Sequence, residues 1–463
     1  MPSGVANEAV GCYNRTMQKN DVIHCQITAL GSQGEGIAEV GGRTLFLPFT
    51  LPGETVTAKV LKVKGNVAYG KLLSVETASF ERVAPLCPLF GQCGGCQLQH
   101  LSYQGQLDFK RQLVRRTLKK LSGLDVDVPP VAKSPTAWEY RNKLSLPVRS
   151  VEGQTVIGFY RPRSHRVVAV EACPLQAEWS THLIGCVDRY MREQNVSAYD
   201  ETQHTGLVRH VIGRYLDGQL LVTVVVNGDE LPHAEALFSL LSQKFSSFGL
   251  FVSRNVTKSN VITTEPARHL CGIDAIRGNQ FRVDFTLQAD SFYQVNEGIK
   301  NAIYSDVRRL LAGRQTEVLL DLFSGIGILS GALYSDAYDT VAVELLPSAT
   351  ADADRMKEAN GLKRLLNLCG DVNEVLPSLA KQFQGKRVSV VVDPPRKGLD
   401  PAVISSLLAL APNEILYISC DVATLARDVA RLSGAYTPTY IQPYDMFPQT
   451  RHVETLVCLR KKV

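Results

Sequence analysis

Residues 318–327 read VLLDLFSGIG: an apolar run interrupted by one acid, then a turn with two glycines. A near-continuous apolar run suits a strand buried on both faces. Glycines at its end let a ligand approach the backbone where a helix opens. From Lys300 onward the same pattern repeats. VAVEL, VSVVVD and EILYISC are strand-like, and helical stretches separate them. Strands alternating with helices predict a doubly wound α/β domain with a largely parallel sheet, expected over residues 289–463.

Open sheets of this kind bind ligands at the carboxyl ends of their strands. Ser330 breaks the full dinucleotide fingerprint, so Gly325 and Gly327 alone say little. Glu344 ends the next strand, where an acid about 20 positions on can accept hydrogen bonds from both ribose hydroxyls. Gly370 and Asp371 follow the third strand. Together these suit the nucleoside of S-adenosylmethionine better than a dinucleotide. Asp393, in VVVDPPRKG, is delivered to the same edge, and its two prolines hold the chain stiff.

Cys420, in YISCD, ends the fifth strand, and Glu454 begins the terminal one. Both face the ligand edge. A cysteine, a carboxylate and a methyl donor define one chemistry economically, C5 methylation of a pyrimidine. C5 is a poor nucleophile until a thiolate adds at C6, and a base must then remove the C5 proton.

Upstream, residues 1–18 read as a tail. Residues 19–79 carry five short strands with glycine turns, which predict a small OB-like barrel with a basic stripe of Lys59, Lys62, Lys64 and Lys71. Residues 80–288 read as mixed α+β. They open with Cys87-x₅-Cys93-x₂-Cys96, and Cys173 in EACPL is a plausible fourth ligand. Four thiolates suit zinc or an iron–sulfur cluster equally. A helix is expected over 103–121, with Leu107, Val114, Leu118 and Leu121 on one face. Lys110, Arg111, Arg115, Arg116, Lys119 and Lys120 suggest a polyanion contact on the rest.

The totals exclude less than they permit. A length of 463 residues exceeds one core, and a formal charge of +5 allows a nucleic-acid partner without requiring one. The longest apolar strand-like run, Leu220 to Val226, is too short to span a bilayer, and no signal-like core opens the chain. A cytoplasmic protein without a membrane partner is expected. Eleven cysteines in such a chain argue against a disulfide framework.

The ordered motifs CPLFGQCGGCQLQHL, YRNKLSLPVR, SFYQVN, DLFSGIG, DPPRKG, SCDVATLARD and FPQTRHVE resemble the S-adenosylmethionine-dependent RNA 5-methyluridine methyltransferases, from about residue 19 to the C-terminus. The resemblance implies an N-terminal TRAM barrel, a central RNA-binding domain and a Rossmann-like class I methyltransferase domain. The helix after the cysteine motif would pack on the catalytic domain. Barrel and cysteine motif together look most like the 23S rRNA enzymes, with tRNA the alternative target.

The same resemblance implies a 4Fe–4S cluster on Cys87, Cys93, Cys96 and Cys173. It makes Cys420 the nucleophile and Glu454 the proton acceptor. Gln294, Phe323, Glu344, Asp371 and Asp393 would line the cofactor and uridine site, and Phe292 would stack on RNA. No obligate protein partner is implied. Asp421 stands where the family has an amide, and a nearby acid is expected to raise the Cys420 pKa. A non-catalytic RNA binder would not need Cys420, Glu454 and the cofactor motifs together. An exocyclic-amine methyltransferase would carry an aromatic residue where Arg396 stands.

Overall fold

A computed structural model describes residues 17–462 and divides the chain into two compact units. Nearly all of the expected tail, residues 1–16, lies outside the described residues. No helix among the described residues is long and apolar enough to cross a membrane.

The first unit takes in the chain up to Gly91, Cys96–Phe109 and Gln449–Arg451. Its six-stranded sheet runs Val22–Gln26, Thr55–Lys64, Val67–Thr77, Arg43–Leu47, Gly36–Val40, Ala29–Leu30. The sixth strand is only two residues long, too short for alternation to reveal it. Alternation elsewhere turns Ala38, Leu45, Leu47, Val56, Ala58, Val60 and Ala68 into one core. Lys62, Lys64 and Lys71 are exposed; Tyr69, on the strand of Lys71, stacks on Phe46 of the adjacent strand with centroids 5.6 Å apart.

The second unit holds the rest. A seven-stranded sheet runs Arg268–Gly272, Ser247–Arg254, Gln219–Val226, Val208–Leu216, Lys143–Val151, Gln154–Tyr160, Val167–Ala169. Another seven-stranded sheet carries the chemistry-bearing motifs. Its order is Leu365–Cys369, Asp339–Glu344, Val318–Leu322, Val388–Val392, Glu414–Ser419, Glu454–Lys461, Tyr436–Tyr444. The first five strands are parallel, and the last two form an antiparallel pair joined to them. Val318–Leu322 and Val388–Val392 are buried at every position, as their largely apolar sequences require, with Asp321 and Ser389 the polar exceptions. Each fully buried Val or Leu contributes about 1.5–3 kcal/mol.

The basic helix spans Tyr103–Ser122. Val114 and Leu118 join Val128, Val422, Ala426 and Val453 in one apolar cluster, whereas Leu121 is 46% exposed. The polyanion reading of its six cations needs correction at Lys110. Lys110 is fully buried, pairs with Asp445 and donates to the Phe447 carbonyl at 3.0 Å. Arg111 donates to the Val128 carbonyl at 2.6 Å, and Lys119 pairs with Asp125 at 2.7 Å. The Lys110 partner is remote in sequence and no local pattern announces it, whereas Arg115, Arg116, Lys119 and Lys120 stay exposed.

Candidate active site

The strand Val318–Leu322 delivers its chain into a turn of unusual backbone. Phe323, Gly325 and Gly327 have φ of +67°, +57° and +81°. For Phe323 that region is costly and is found mostly where function demands it. Gly327 is needed on a second count, because a Cβ there would sit 2.7 Å from Met356 Cε. The turn is held open by Glu344, whose carboxylate accepts from the Gly325 and Leu346 amides, each at 2.9 Å. Each Glu344 oxygen keeps a second lone pair, so the predicted ribose contact remains chemically available.

Asp371 caps the helix Val372–Gln382 by accepting from the Asn373 amide at 2.8 Å. It sits at the carboxyl edge one strand beyond Glu344, as the sequence predicts.

Cys420 and Glu454 meet through strand register. Ser419 pairs with Thr455 in the antiparallel ladder. One residue further along, Cys420 therefore stands opposite Glu454, although 33 residues separate them in the chain. Asp393 arrives beside both on the adjacent parallel strand. The Gln294 side chain hydrogen-bonds the Asp393 carboxyl. Phe292, two residues earlier, is 65% exposed, as a stacking residue would need to be.

The electrostatics of this group are one-sided. Burial and the Asp393 charge push the Glu454 carboxyl well above the usual range, while Arg396 pulls it back. Glu454 Oε1 is buried with no hydrogen-bond partner among the described residues. Burial and Asp321 push Asp393 up to about 7. Burial also carries Asp321 to about 7, although the Ser330 hydroxyl donates to it. The Cys420 thiol is pushed up to about 11 by burial, then Glu454, then Asp393, and Arg396 again opposes the shift.

Asp421 plays no part in that shift, contrary to the sequence expectation. Its carboxylate caps the helix Val422–Leu432, accepting from the Ala423 and Thr424 amides at 3.0 Å each. The acids that bear on the thiol are remote in sequence and near in space.

The family described as tRNA (Uracil-5-)-methyltransferase matches residues 102–462, and the TRAM domain matches residues 18–73. The chain belongs to this methyltransferase family. It is an S-adenosylmethionine-dependent RNA uracil-5-methyltransferase. An RNA methyltransferase of Halalkalibacterium halodurans, itself uncharacterised, is 38% identical over 96% of this chain and 98% of its own. One from Listeria monocytogenes strain F2365 is 35% identical over 96% of this chain and 98% of its own. The solved tRNA (uracil-54, C5)-methyltransferase of Pyrococcus abyssi, in complex with S-adenosyl-L-homocysteine, is 28% identical with a TM-score of 0.78. That match covers 94% of this chain and 99% of the archaeal one.

The methyltransferase site also contains groups that the motifs do not announce. Asp321 reads in the sequence only as part of a strand, yet an acid inside VLLDL is itself a signal, because a buried charge needs a reason. Tyr304, on the helix Glu297–Leu311, has its hydroxyl pKa raised by burial and then by Asp393 and Asp321, which places it against the acid group. No sequence pattern marks it. Arg396 stands out in the sequence only for not being aromatic, yet it is the cation that opposes the raised pKa values of Cys420 and Glu454.

The predicted iron–sulfur ligands fare differently. Cys87, Cys93, Cys96 and Cys173 are each partly buried. Among the described residues no three His, Cys, Asp or Glu side chains form a group able to hold a metal ion. Spacing can nominate thiolates, but the energy that draws four of them together comes largely from the metal itself.

Proposed function

We propose that this methyltransferase transfers a methyl group to C5 of a uridine in 23S rRNA through a covalent Cys420–C6 adduct, with Glu454 taking the C5 proton. One observation carries the assignment of roles: strand register stands Cys420 opposite Glu454, with Asp393 bearing on both. Bound S-adenosylmethionine supplies the electrophilic methyl group.

A thiol held near 11 is almost wholly protonated at neutral pH, so its proton has to pass to solvent as the substrate binds. Two features assist. Arg396 favours the anion. Asp393, near 7, is partly protonated at neutral pH, which lessens its repulsion of a thiolate.

The thiolate adds to C6 of the uracil, and the ring electrons move toward C5 and O4. C5 then forms its bond to the methyl carbon. Glu454, whose raised pKa requires it to have shed its own proton to solvent first, then accepts as carboxylate the proton that C5 still carries. The electrons left behind restore the C5–C6 double bond and expel the Cys420 thiolate. A partner-free buried carboxylate oxygen is a strong base, which suits the proton-removal step.

The 23S rRNA target rests on the barrel taken together with the four cysteines. The archaeal tRNA enzyme supports the second reading, tRNA. Its match covers too much of this chain to omit the barrel, so the barrel does not separate the two targets. The deciding experiment presents 23S rRNA fragments and tRNA, each substituted with 5-fluorouridine, to wild-type and Cys420→Ala protein with S-adenosylmethionine. Fluorine cannot leave as a proton, so the adduct persists under denaturing electrophoresis. Adduct on rRNA that the variant abolishes is the expected result. Adduct on tRNA alone transfers the assignment to tRNA, and none on either removes the covalent mechanism.

A further inference from the structure

The sheet that carries the catalytic groups has a second concave edge. At the amino ends of its parallel strands, Arg314, Thr316, Arg387, Ser389, Glu414 and Arg460 line a cavity of about 290 Å³. Ligand-sized cavities run from about 300 Å³ upward, so this one can take a small group but not a large molecule. It lies a full strand length from Cys420, on the edge that open α/β sheets do not ordinarily use.

Its frame is rigid. Glu317 donates its amide to the Arg387 carbonyl at 2.9 Å, Asn413 to Val388 at 2.8 Å, and Lys461 to Asn413 at 3.1 Å. Thr316 and Ser389 join their hydroxyls at 2.8 Å on one wall. Three guanidinium groups converge on this frame. Two already have acid partners: Arg314 lies 3.3 Å from Glu414, and Arg387 lies 3.4 Å from Glu317. Arg460 has no acid within ion-pair distance among the described residues, and its Nε is buried with no hydrogen-bond partner. It stands directly opposite Glu414 in the ladder, yet the Glu414 oxygens are taken by Ser389 at 2.9 Å and by Arg314.

The cavity therefore holds one cation in excess, a buried donor with nothing to donate to, and two hydroxyls. A buried unsatisfied donor costs about 1–3 kcal/mol, which a ligand accepting from it would recover. Planar guanidinium forks match the oxygens of phosphate, and hydroxyls complete such sites. We propose that this cavity binds a phosphate group, with Arg460 as its principal donor. The phosphate is either a phosphodiester of the RNA substrate, wrapped past the catalytic edge, or the terminal group of a free nucleotide.

The test measures thermal unfolding of the full-length protein against inorganic phosphate, with chloride replacing phosphate at constant ionic strength. Wild type is expected to gain stability as phosphate rises. Arg460→Gln is expected to bind phosphate roughly tenfold or more weakly, and Arg460→Lys to fall between the two. Each protein is also melted with S-adenosyl-L-homocysteine. An intact shift with S-adenosyl-L-homocysteine shows that the variant has folded and that the methyltransferase reading stands independently of this site. No phosphate response in wild type, or an equal response in Arg460→Gln, overturns the proposal.

The two sources are then separated by RNA affinity across a salt series. If the ligand is an RNA phosphodiester, Arg460→Gln lowers the slope of log affinity against log salt by roughly 0.7–0.9. If the slope is unchanged while phosphate binding is lost, the cavity takes a free nucleotide.

Discussion

Glu414 and Glu454 sit at opposite ends of one antiparallel ladder and meet burial in opposite ways. Each opens a strand, each is almost wholly buried, and burial pushes each carboxyl upward. Glu414 is compensated, with one oxygen accepting from Ser389 and the other beside Arg314. Glu454 faces a thiol and another acid, and its Oε1 has no partner. Desolvation is the shared cost, and the neighbours decide its consequence. Where hydrogen bonds and a cation offset the cost, the carboxylate is structural. Where they do not, the group is poised to exchange a proton.

The largest predicted effect tests this contrast at the catalytic end. Glu454→Gln keeps the shape and removes the base, so turnover should fall about 10²–10⁴-fold. Because the steps before proton removal survive, ordinary uridine-containing RNA should now accumulate a methylated adduct on Cys420, visible by mass spectrometry. Loss of activity without any adduct would place Glu454 earlier in the reaction. Its stability should hold or rise, because no hydrogen bond at Oε1 is lost.

Glu414→Ala should show the reverse profile. Losing the Ser389 and Arg314 contacts should cost about 1–3 kcal/mol in denaturant melts, with kcat unchanged. A matching loss of turnover would mean that the two ends of the ladder are coupled.

A smaller effect should appear in the pH dependence of stability. The folded-state pKa of Asp321 is raised from 3.8 to about 7, and that of Asp393 likewise. Between these values the native state binds more protons than the unfolded chain. These two groups therefore make stability fall as pH rises from about 4, with the loss continuing until the pH passes the folded pKa near 7. Asp321→Asn should flatten that decline, read as unfolding free energy at pH 5 and pH 8. An unaltered slope would show that Asp321 is ionised throughout that range in the folded protein.

Legibility in the sequence tracks the range of each interaction. The parallel strands are readable because burial on both faces demands largely apolar runs such as VSVVV, and the turn after VLLDL because glycines mark positive φ. The two-residue strand Ala29–Leu30 is too short for any periodicity to show. Among the helix cations Lys110 misleads, because its partner lies 335 residues away. Asp421 misleads for the complementary reason: adjacency in sequence suggests a neighbour for the thiol, whereas its carboxylate turns back to cap the helix it precedes.

By itself, the sequence determined the doubly wound domain, the small barrel before it, and the identities of the cysteine, the acids and the glycine turn. Those are properties of composition and periodicity along a few neighbouring residues. Tertiary structure alone decided that Cys420 faces Glu454, that Asp393 and Asp321 crowd the same edge, and that Arg460 is left unpaired at the other. Such outcomes depend on strand register and on the sum of charges a buried group meets, which arise only when distant segments share one low-dielectric space.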